Sequence, residues 1–386
     1  MTAATSLSGA TTPAKLHLKV LSNSAIACYR ACPRKFKYSY KMKRRPWRAA
    51  EALRFGTLWH CGLNTWWITV GDAGDKFSAA IHAMRAHAEK KGDDVDAFDL
   101  VKVEELMLGY SARWGDELYQ TVAVERQFDV ALVNPETGAA SKTYRVQGAL
   151  DALAMRDGGK LVHVEHKTTS DDISPGTDYW RMVSALDSQV STYQSALKSL
   201  GLEAETLYDV VRKVDLKPFK ETPEELRRYT KGKTKKCPFC TKKGCPPGIH
   251  RVSSADEPEL LCDGNGTVVV ELPRLDARQH EHDETPEEFR LRIREHIAAN
   301  PERYFARGPI VRLERDEAEH ARDTWQTAAM IRLSENAGSF PRNPGGCRRF
   351  HRLCEYFEVC SGNASIDDDT RFRTAETEHE ELVKEV

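Results

Sequence analysis

Residues 148–169, GALDALAMRDGGKLVHVEHKTT, decide the fold. Arg145–Met155 and Lys160–Lys167 are β-prone runs joined by Arg156-Asp157-Gly158-Gly159, a pattern that predicts strand, tight turn, strand. Side chains alternate along a strand, so Leu161, His163, Glu165 and Lys167 share one face. With a loop of Asp157–Gly159, Asp151 lies directly opposite Glu165. The hairpin therefore gathers two carboxylates and an ammonium. Carboxylates that close repel one another unless a cation sits between them, and oxygen ligands suit a hard ion such as Mg²⁺ that keeps several waters. A lysine beside the ion can orient or deprotonate a water and offset charge building on a phosphate. Taken alone, a Glu-x-Lys on a strand is also the signature of an ordinary ion pair at a sheet edge.

The order Gly148-x-x-Asp151, a turn, then an apolar run ending in Glu165-x-Lys167-Thr168 resembles the active-site hairpin of the PD-(D/E)XK nuclease superfamily, in its RecB-like branch. Four further blocks accompany it. Gly56, Thr57, Leu58, Trp59 and His60 resemble the branch's upstream histidine motif, and Gln189 and Tyr193 its Gln-x-x-x-Tyr motif. Cys32-Pro33-Arg34-Lys35-Phe36 resembles the first cysteine block of members that carry an iron–sulfur cluster. Cys347, Cys354 and Cys360 resemble their closing cysteines, as in the AddB nuclease domain and the CRISPR-associated and phage RecB-like exonucleases.

The resemblance implies an α/β, restriction-endonuclease-like core, a mixed β-sheet flanked by helices. It implies that Asp151, Glu165 and His60, with the backbone carbonyl of His166, hold Mg²⁺ or Mn²⁺, and that Lys167 positions or activates the attacking water. Gln189 and Tyr193 would orient the strand being cut. Cys32, Cys347, Cys354 and Cys360 would hold a 4Fe-4S cluster that staples the first helix to the C-terminal end. Many relatives have a tight Cys-x-x-Cys late in the chain, whereas here Cys347 and Cys354 stand further apart. Zinc on the same four residues, with His351 able to replace one thiolate, is the rival.

The chain has 386 residues and a net charge of −1, so no global field advertises nucleic acid and any DNA-binding surface must be local. No apolar run approaches a membrane span, and MTAATSLSGATTPAK lacks the apolar core of a signal peptide, so a cytoplasmic location is expected. Ten cysteines without a secretory signal argue for metal ligation over disulfides.

In chain order, residues 1–19 read as a flexible tail and 20–362 as the nuclease domain. Ser22-Asn23-Ser24 reads as the N-cap stretch of a helix that Pro33 breaks or restarts, with Cys28 a core thiol. Arg44, Arg45 and Arg48 form a short basic stretch that fits a DNA backbone or a solvated loop. Glu51–Thr69 reads as a helix on which Gly56 allows a close approach. Ala79–Glu117 reads as a long helical region, Ala123–Val133 as a strand whose Glu125 at most supports the metal ligands, Asp178–Leu200 as a helix and Leu207–Val214 as a core strand. A basic insertion, 217–267, contains Cys237-Pro-Phe-Cys240, which with Cys245 and Cys262, or with His250, fits a structural zinc site. Such a knuckle would grip DNA phosphates or be purely structural. Glu221–Glu225 and Glu284–Glu288 each look like a helix start with a capping box. Helices over Pro286–Ala299 and Glu314–Ser334 follow, and the acidic tail 363–386 reads as disordered or partner-binding.

These readings converge on a stand-alone Mg/Mn-dependent DNA exonuclease acting on single-stranded or duplex ends in recombination or repair, with a helicase or single-strand annealing protein as partner and no membrane. The alternatives are a non-catalytic, metal-stapled DNA-binding or assembly subunit, and an endonuclease or end-trimmer of a CRISPR-type adaptation complex.

Overall fold

A computed structural model of the chain describes residues 18–47, 51–92, 95–156, 158–231, 233–236, 248–250, 260–262, 267–271, 274–349 and 352–383. The order begins with strand β1 (Lys19–Leu21), helix α1 (Asn23–Ala31) and the short α2 (Pro33–Phe36). The Ser22 hydroxyl caps α1 by accepting from the Ala25 amide at 3.1 Å, and the extended backbone at Cys32 ends it just before Pro33, as expected. A wide π-type turn at Lys37–Lys41 leads to β2 (Arg44–Pro46).

Three helices follow: α3 (Glu51–Ile68), α4 (Ala73–Lys91) and α5 (Ala97–Trp114). The expected single region over Ala79–Glu117 is two helices, because Gly92 ends α4 at φ 57° and the Asp96 carboxylate caps α5. Gly62 is the glycine that lets α3 pack closely. A Cβ there would run into Met84 and come within 3.1 Å of Met107 Cε, whereas one at Gly56 would meet Thr168 Oγ1 at an ordinary 3.6 Å.

The sheet is built from β3 (Tyr119–Val133), β4 (Ala140–Arg156) and β5 (Lys160–Thr169) as a meander, then α6 (Asp178–Leu186), α7 (Ser188–Ser199) and β6 (Glu205–Arg212). The pair α6–α7 makes the crossover that the parallel pairing of β6 with β5 requires. The expected single helix over Asp178–Leu200 breaks at Asp187, whose carboxylate caps α7.

The chain divides into two compact units, residues 1–214 with 294–386, and Asp215–Ile293. The second unit runs beyond the expected 217–267. It contains β7 (Lys233–Lys236), β8 (Gly248–His250), β9 (Leu260–Cys262) and β10 (Thr267–Glu271), ordered β7-β10-β9-β8, before α8 (Pro286–Ala299) begins. Of the two helix starts, only the later forms. Thr285 and Glu288 cap reciprocally, side chain to backbone, at 2.9 and 3.3 Å, while Glu224–Leu226 is a single 3-10 turn followed by Arg227 and Arg228 with no apolar stripe to bury. Cys237, Cys240 and Cys245 lie outside the described residues, and of Cys262 only the backbone, in β9, is described.

In the first unit α9 (Pro301–Tyr304), β11 (Phe305–Ile310) and α10 (Glu314–Ala337) complete the core, giving the sheet order β1-β4-β5-β6-β11 with β3 on the other side of β4. This is a mixed sheet with helices, as expected. Short strands β12 (Arg348–Arg349) and β13 (Arg352–Leu353), α11 (Phe357–Ser361) and β14 (Phe372–Thr374) close the chain.

The expectation of disorder over 363–386 does not hold for the described residues, which reach 383. β14 pairs with β2, Phe372 is buried against Tyr356 with ring centroids 5.5 Å apart, and Gln127 donates to the Leu382 carbonyl at 2.7 Å. The acids that suggested disorder are partners: Glu378 meets Lys41 at 3.1 Å and Asp369 meets Arg44 at 2.9 Å. Among the described residues no helix is long and apolar enough to cross a membrane.

Candidate active site

Strand β4 is paired with β3 along most of its length, but its other edge is shared. β1 covers Tyr144–Val146 and β5 takes over from Ala152, opposite Val164. Asp151 therefore stands at a fork in the sheet. The β4–β5 register sets it opposite Glu165, as read from the hairpin, and the β3–β4 register sets it opposite Glu125. Three carboxylates thus cross three neighbouring strands in one row.

Each is held differently. Asp151, 8% exposed, accepts the His166 amide at 2.8 Å through Oδ2 and turns Oδ1 toward His60 Nδ1 at 3.7 Å. Glu125 takes φ +50°, costly by about 1–3 kcal/mol for a residue with a side chain. Its carboxylate accepts from Asn64 Nδ2 at 3.0 Å. His60 and Asn64 are one turn apart on α3, so one helix face serves both acids. One ligand atom from each of His60, Glu125 and Asp151 lies within 4.8 Å of the other two. The alternation of β3 assigned Glu125 a supporting role; the fold brings its carboxylate into the cluster itself.

Glu165 is fully buried. Oε1 takes the Lys167 ammonium, while Oε2 has no hydrogen-bond partner and lies 3.4 Å from His163 Nε2. A buried carboxylate oxygen without a donor is costly, and a cation would satisfy it. The two carboxylates and imidazole of Glu125, Asp151 and His60 are a donor set suited to Mg²⁺ or Mn²⁺, whereas Glu165, expected among the ligands, is not in that group: its oxygens face Lys167 and His163.

Lys167 reaches onward to Gln189 Oε1 at 3.0 Å, and Gln189 Nε2 donates to the Tyr193 hydroxyl at 2.9 Å. The Tyr193 ring packs edge-on against Phe128 and His163, with centroids 5.4 and 5.6 Å away. Gly148 is explained by the same packing: a Cβ there would collide with the Phe128 ring and come within 3.1 Å of Tyr193 Cε1. The hairpin's Gly-x-x-Asp is thus a packing requirement next to a chemical one.

Burial and the neighbouring Glu165 push Asp151 up to about 7. Burial works against Glu165 too, but the Lys167 ammonium and His163 hold it down at about 2. Burial likewise opposes the Lys167 charge, yet Glu165 and Asp151 raise its pKa. Burial and Lys167 lower His60, which keeps the imidazole neutral, the form that ligates metal.

Behind the site, the His166 ring turns to Asp209, with Nδ1 3.0 Å from Oδ2. Asp209 also accepts from Tyr110 at 2.7 Å and from Arg307 Nε at 2.9 Å. This buried network anchors the strand that carries Glu165 and Lys167. No sequence signal picked out Asp209, an acid inside an apolar run, or Arg307, nearly one hundred residues further along the chain.

Cys32, Cys347, Cys354 and Cys360 line one cavity of about 30 Å³ together with Lys35 and Arg342. The two ends of the chain are tied there: Asn343 Nδ2 donates to the Ala31 carbonyl at 2.8 Å, and the Arg34 amide to the Pro341 carbonyl at 3.1 Å. Gly346 is required, since a Cβ would sit 2.7 Å from the Ala31 oxygen. Among the described residues no three of these sulfurs lie within 4.8 Å of one another. Cys28 instead packs against the core, and burial pushes its thiol up to about 12. His351 lies outside the described residues.

None of the curated proteins compared matches the sequence. Among solved structures the chain is similar to "Crystal structure of SSO0001", at 15% identity and a TM-score of 0.22, over 51% of this chain and 65% of that one, a likeness that carries no argument. A family model described as the PD-(D/E)XK nuclease superfamily matches residues 20–361, a span that contains the forked sheet, the hairpin acids, Lys167 and the cysteine cavity. The chain therefore belongs to the PD-(D/E)XK nuclease superfamily.

Proposed function

We propose that this protein is a RecB-like, metal-dependent exonuclease that hydrolyses DNA from its ends, serving recombination or repair. The observation that carries the reading is the row Glu125, Asp151 and Glu165 at the fork, with His60 on one side and Lys167 on the other. Asp151, Glu165 and His60, with Glu125 and the His166 carbonyl beside them, would hold Mg²⁺ or Mn²⁺. A bound ion supplies Lewis-acid polarisation of the phosphate and a more nucleophilic water at neutral pH.

The chain's own groups do the rest. Lys167, held as an ammonium between Glu165 and Gln189, orients the attacking water and offsets charge developing on the phosphate. Gln189 and Tyr193, linked to each other, fix Lys167 and orient the scissile strand. The Asp151 carboxylate is fixed by the His166 amide, so it meets its ligand without reorganising.

Cys32, Cys347, Cys354 and Cys360 would hold a 4Fe-4S cluster. Zinc, at a Zn–S distance of about 2.3 Å, needs tetrahedral sulfurs roughly 3.8 Å apart. A zinc site on Cys237, Cys240, Cys245 and Cys262, and phosphate contacts from the surrounding lysines, complete the proposal, with DNA ends as substrate and a helicase or single-strand annealing protein as partner.

The test compares end-labelled linear DNA with covalently closed circles, in Mn²⁺, Mg²⁺ and EDTA, on protein purified anaerobically and assayed for iron and zinc. Loss of linear DNA alone, abolished by EDTA, supports the exonuclease. Equal cutting of circles would make it an endonuclease, and zinc without iron in a Cys347→Ser-sensitive site would overturn the cluster.

A further inference from the structure

Arg312 lies between β11 and α10 and is 8% exposed. Its hydrogen-bond acceptors are carbonyl and hydroxyl oxygens, none of them a carboxylate. Nε donates to Ser191 Oγ at 2.9 Å, Nη1 to the Ser184 carbonyl, and Nη2 to the carbonyls of Val183 at 3.1 Å and Asp187 at 3.0 Å. Those four acceptors belong to the last turn of α6, the break and the first turn of α7. A guanidinium buried without a bonded counter-charge is expensive, and here its planar fork joins the end of α6, the break and the start of α7.

What the elbow carries is specific. Asp187 adopts φ −64° and ψ 107°, which ends α6 and points its carboxylate at the first amides of α7, Gln189 at 2.8 Å and Val190 at 3.2 Å. Gln189 is the residue whose amide oxygen meets Lys167 and whose nitrogen meets Tyr193. A continuous chain of contacts therefore runs from Arg312 through Asp187 to Gln189 and Lys167.

We propose that Arg312 is a positioning residue of the nuclease site: it sets the elbow between α6 and α7, and with it the Gln189 amide that holds Lys167. The proposal rests on the reading of Lys167 and Gln189 as working groups. The contacts run from Arg312 through Asp187 to Gln189, so the proposal requires its effect on cleavage to pass through Gln189.

The test is a double-mutant cycle of Arg312→Gln and Gln189→Ala, read as single-turnover cleavage of linear DNA with Mn²⁺, beside DNA affinity and amide hydrogen exchange at Gln189 and Val190. Arg312→Gln is expected to slow cleavage about ten- to a hundredfold, the range for small misplacements of catalytic groups, with DNA affinity unchanged. In the Gln189→Ala background it should slow cleavage by no more than about twofold, because the coupled pair is already broken. Arg312→Lys, which keeps the charge but not the fork, should fall between and serves if the glutamine variant folds poorly. Equal losses in both backgrounds would mean a merely structural role and overturn the proposal. Unchanged exchange at Gln189 and Val190 in Arg312→Gln would overturn it whether or not the protein cuts DNA, whereas a wild type that never cuts overturns the nuclease reading and leaves the elbow to be decided by exchange.

Discussion

Replacing Asp209 by Asn tests whether the buried network behind the site holds the sheet together. Asp209 is 2% exposed and accepts from Tyr110 at 2.7 Å, His166 at 3.0 Å and Arg307 at 2.9 and 3.3 Å. Without its charge, the buried Arg307 guanidinium keeps Glu117 as its counter-ion among the described residues. Breaking one partner of a buried charged pair costs about 3–5 kcal/mol; Asn retains an acceptor and should fall near 3, Asp209→Ala near 5. At roughly 2 °C per kcal/mol for a domain of this size, Tm should drop by about 6 and 10 °C. The pH dependence carries a sign. Burial alone would raise the Asp209 pKa, but Arg307 and His166 hold it well below the usual carboxylate range. Its contribution is therefore complete above the unfolded value of about 4 and lost as pH falls below it. Thermal melts of wild type and Asp209→Asn should show a constant gap from neutral pH down to about 5 that narrows below about 4. Midpoints within a degree of each other, or a gap that widens in acid, would mean that the Asp209 charge does not hold this network together.

Gly148→Ala should cost about 1–3 kcal/mol by overpacking against Phe128 and Tyr193, and slow cleavage through the displaced Tyr193, readable as a lower Tm with a lower rate. His320, pushed down to about 4 by burial and by Arg30, is neutral in the fold. With its unfolded value near 6.5, its contribution is full above about pH 6.5 and lost as pH falls toward 4, so His320→Gln should flatten the stability–pH curve across that window. Glu125→Gln should weaken Mn²⁺ binding by about ten- to a hundredfold in calorimetry, the range for disturbing a metal ligand or its support; unchanged affinity would remove Glu125 from the site.

What was legible in the sequence is what two strands and a turn determine locally. The hairpin placed Asp151 opposite Glu165 because period two and the loop length leave little freedom. The Gln189–Tyr193 pair was visible because both lie on one helix turn. Glu125 was undervalued because a glutamate on an alternating strand looks exposed until the second register, from β3 to β4, sets it against Asp151. Asp209, Arg307 and Arg312 were invisible for a similar reason. Their partners lie on other strands and helices, and a charge inside an apolar run is informative only once its partner is known. The break at Asp187 was missed because its carboxylate caps the next helix while the apolar period continues across it. The tail's acids looked like disorder because composition cannot name the lysines and arginines of β2 and its preceding turn that they meet.

The most direct test of the central claim is the cleavage of end-labelled linear DNA by wild type and Lys167→Ala, with enzyme in excess, Mn²⁺ present, and folding checked by melting. Wild type is expected to cut and EDTA to stop it; Lys167→Ala is expected to fold and bind DNA, with a lowered Tm because the buried Glu165 loses its ammonium partner, yet to cut at least about a hundredfold more slowly, as loss of a charge-stabilising group does. A Lys167→Ala protein that cuts as fast as wild type would contradict that claim.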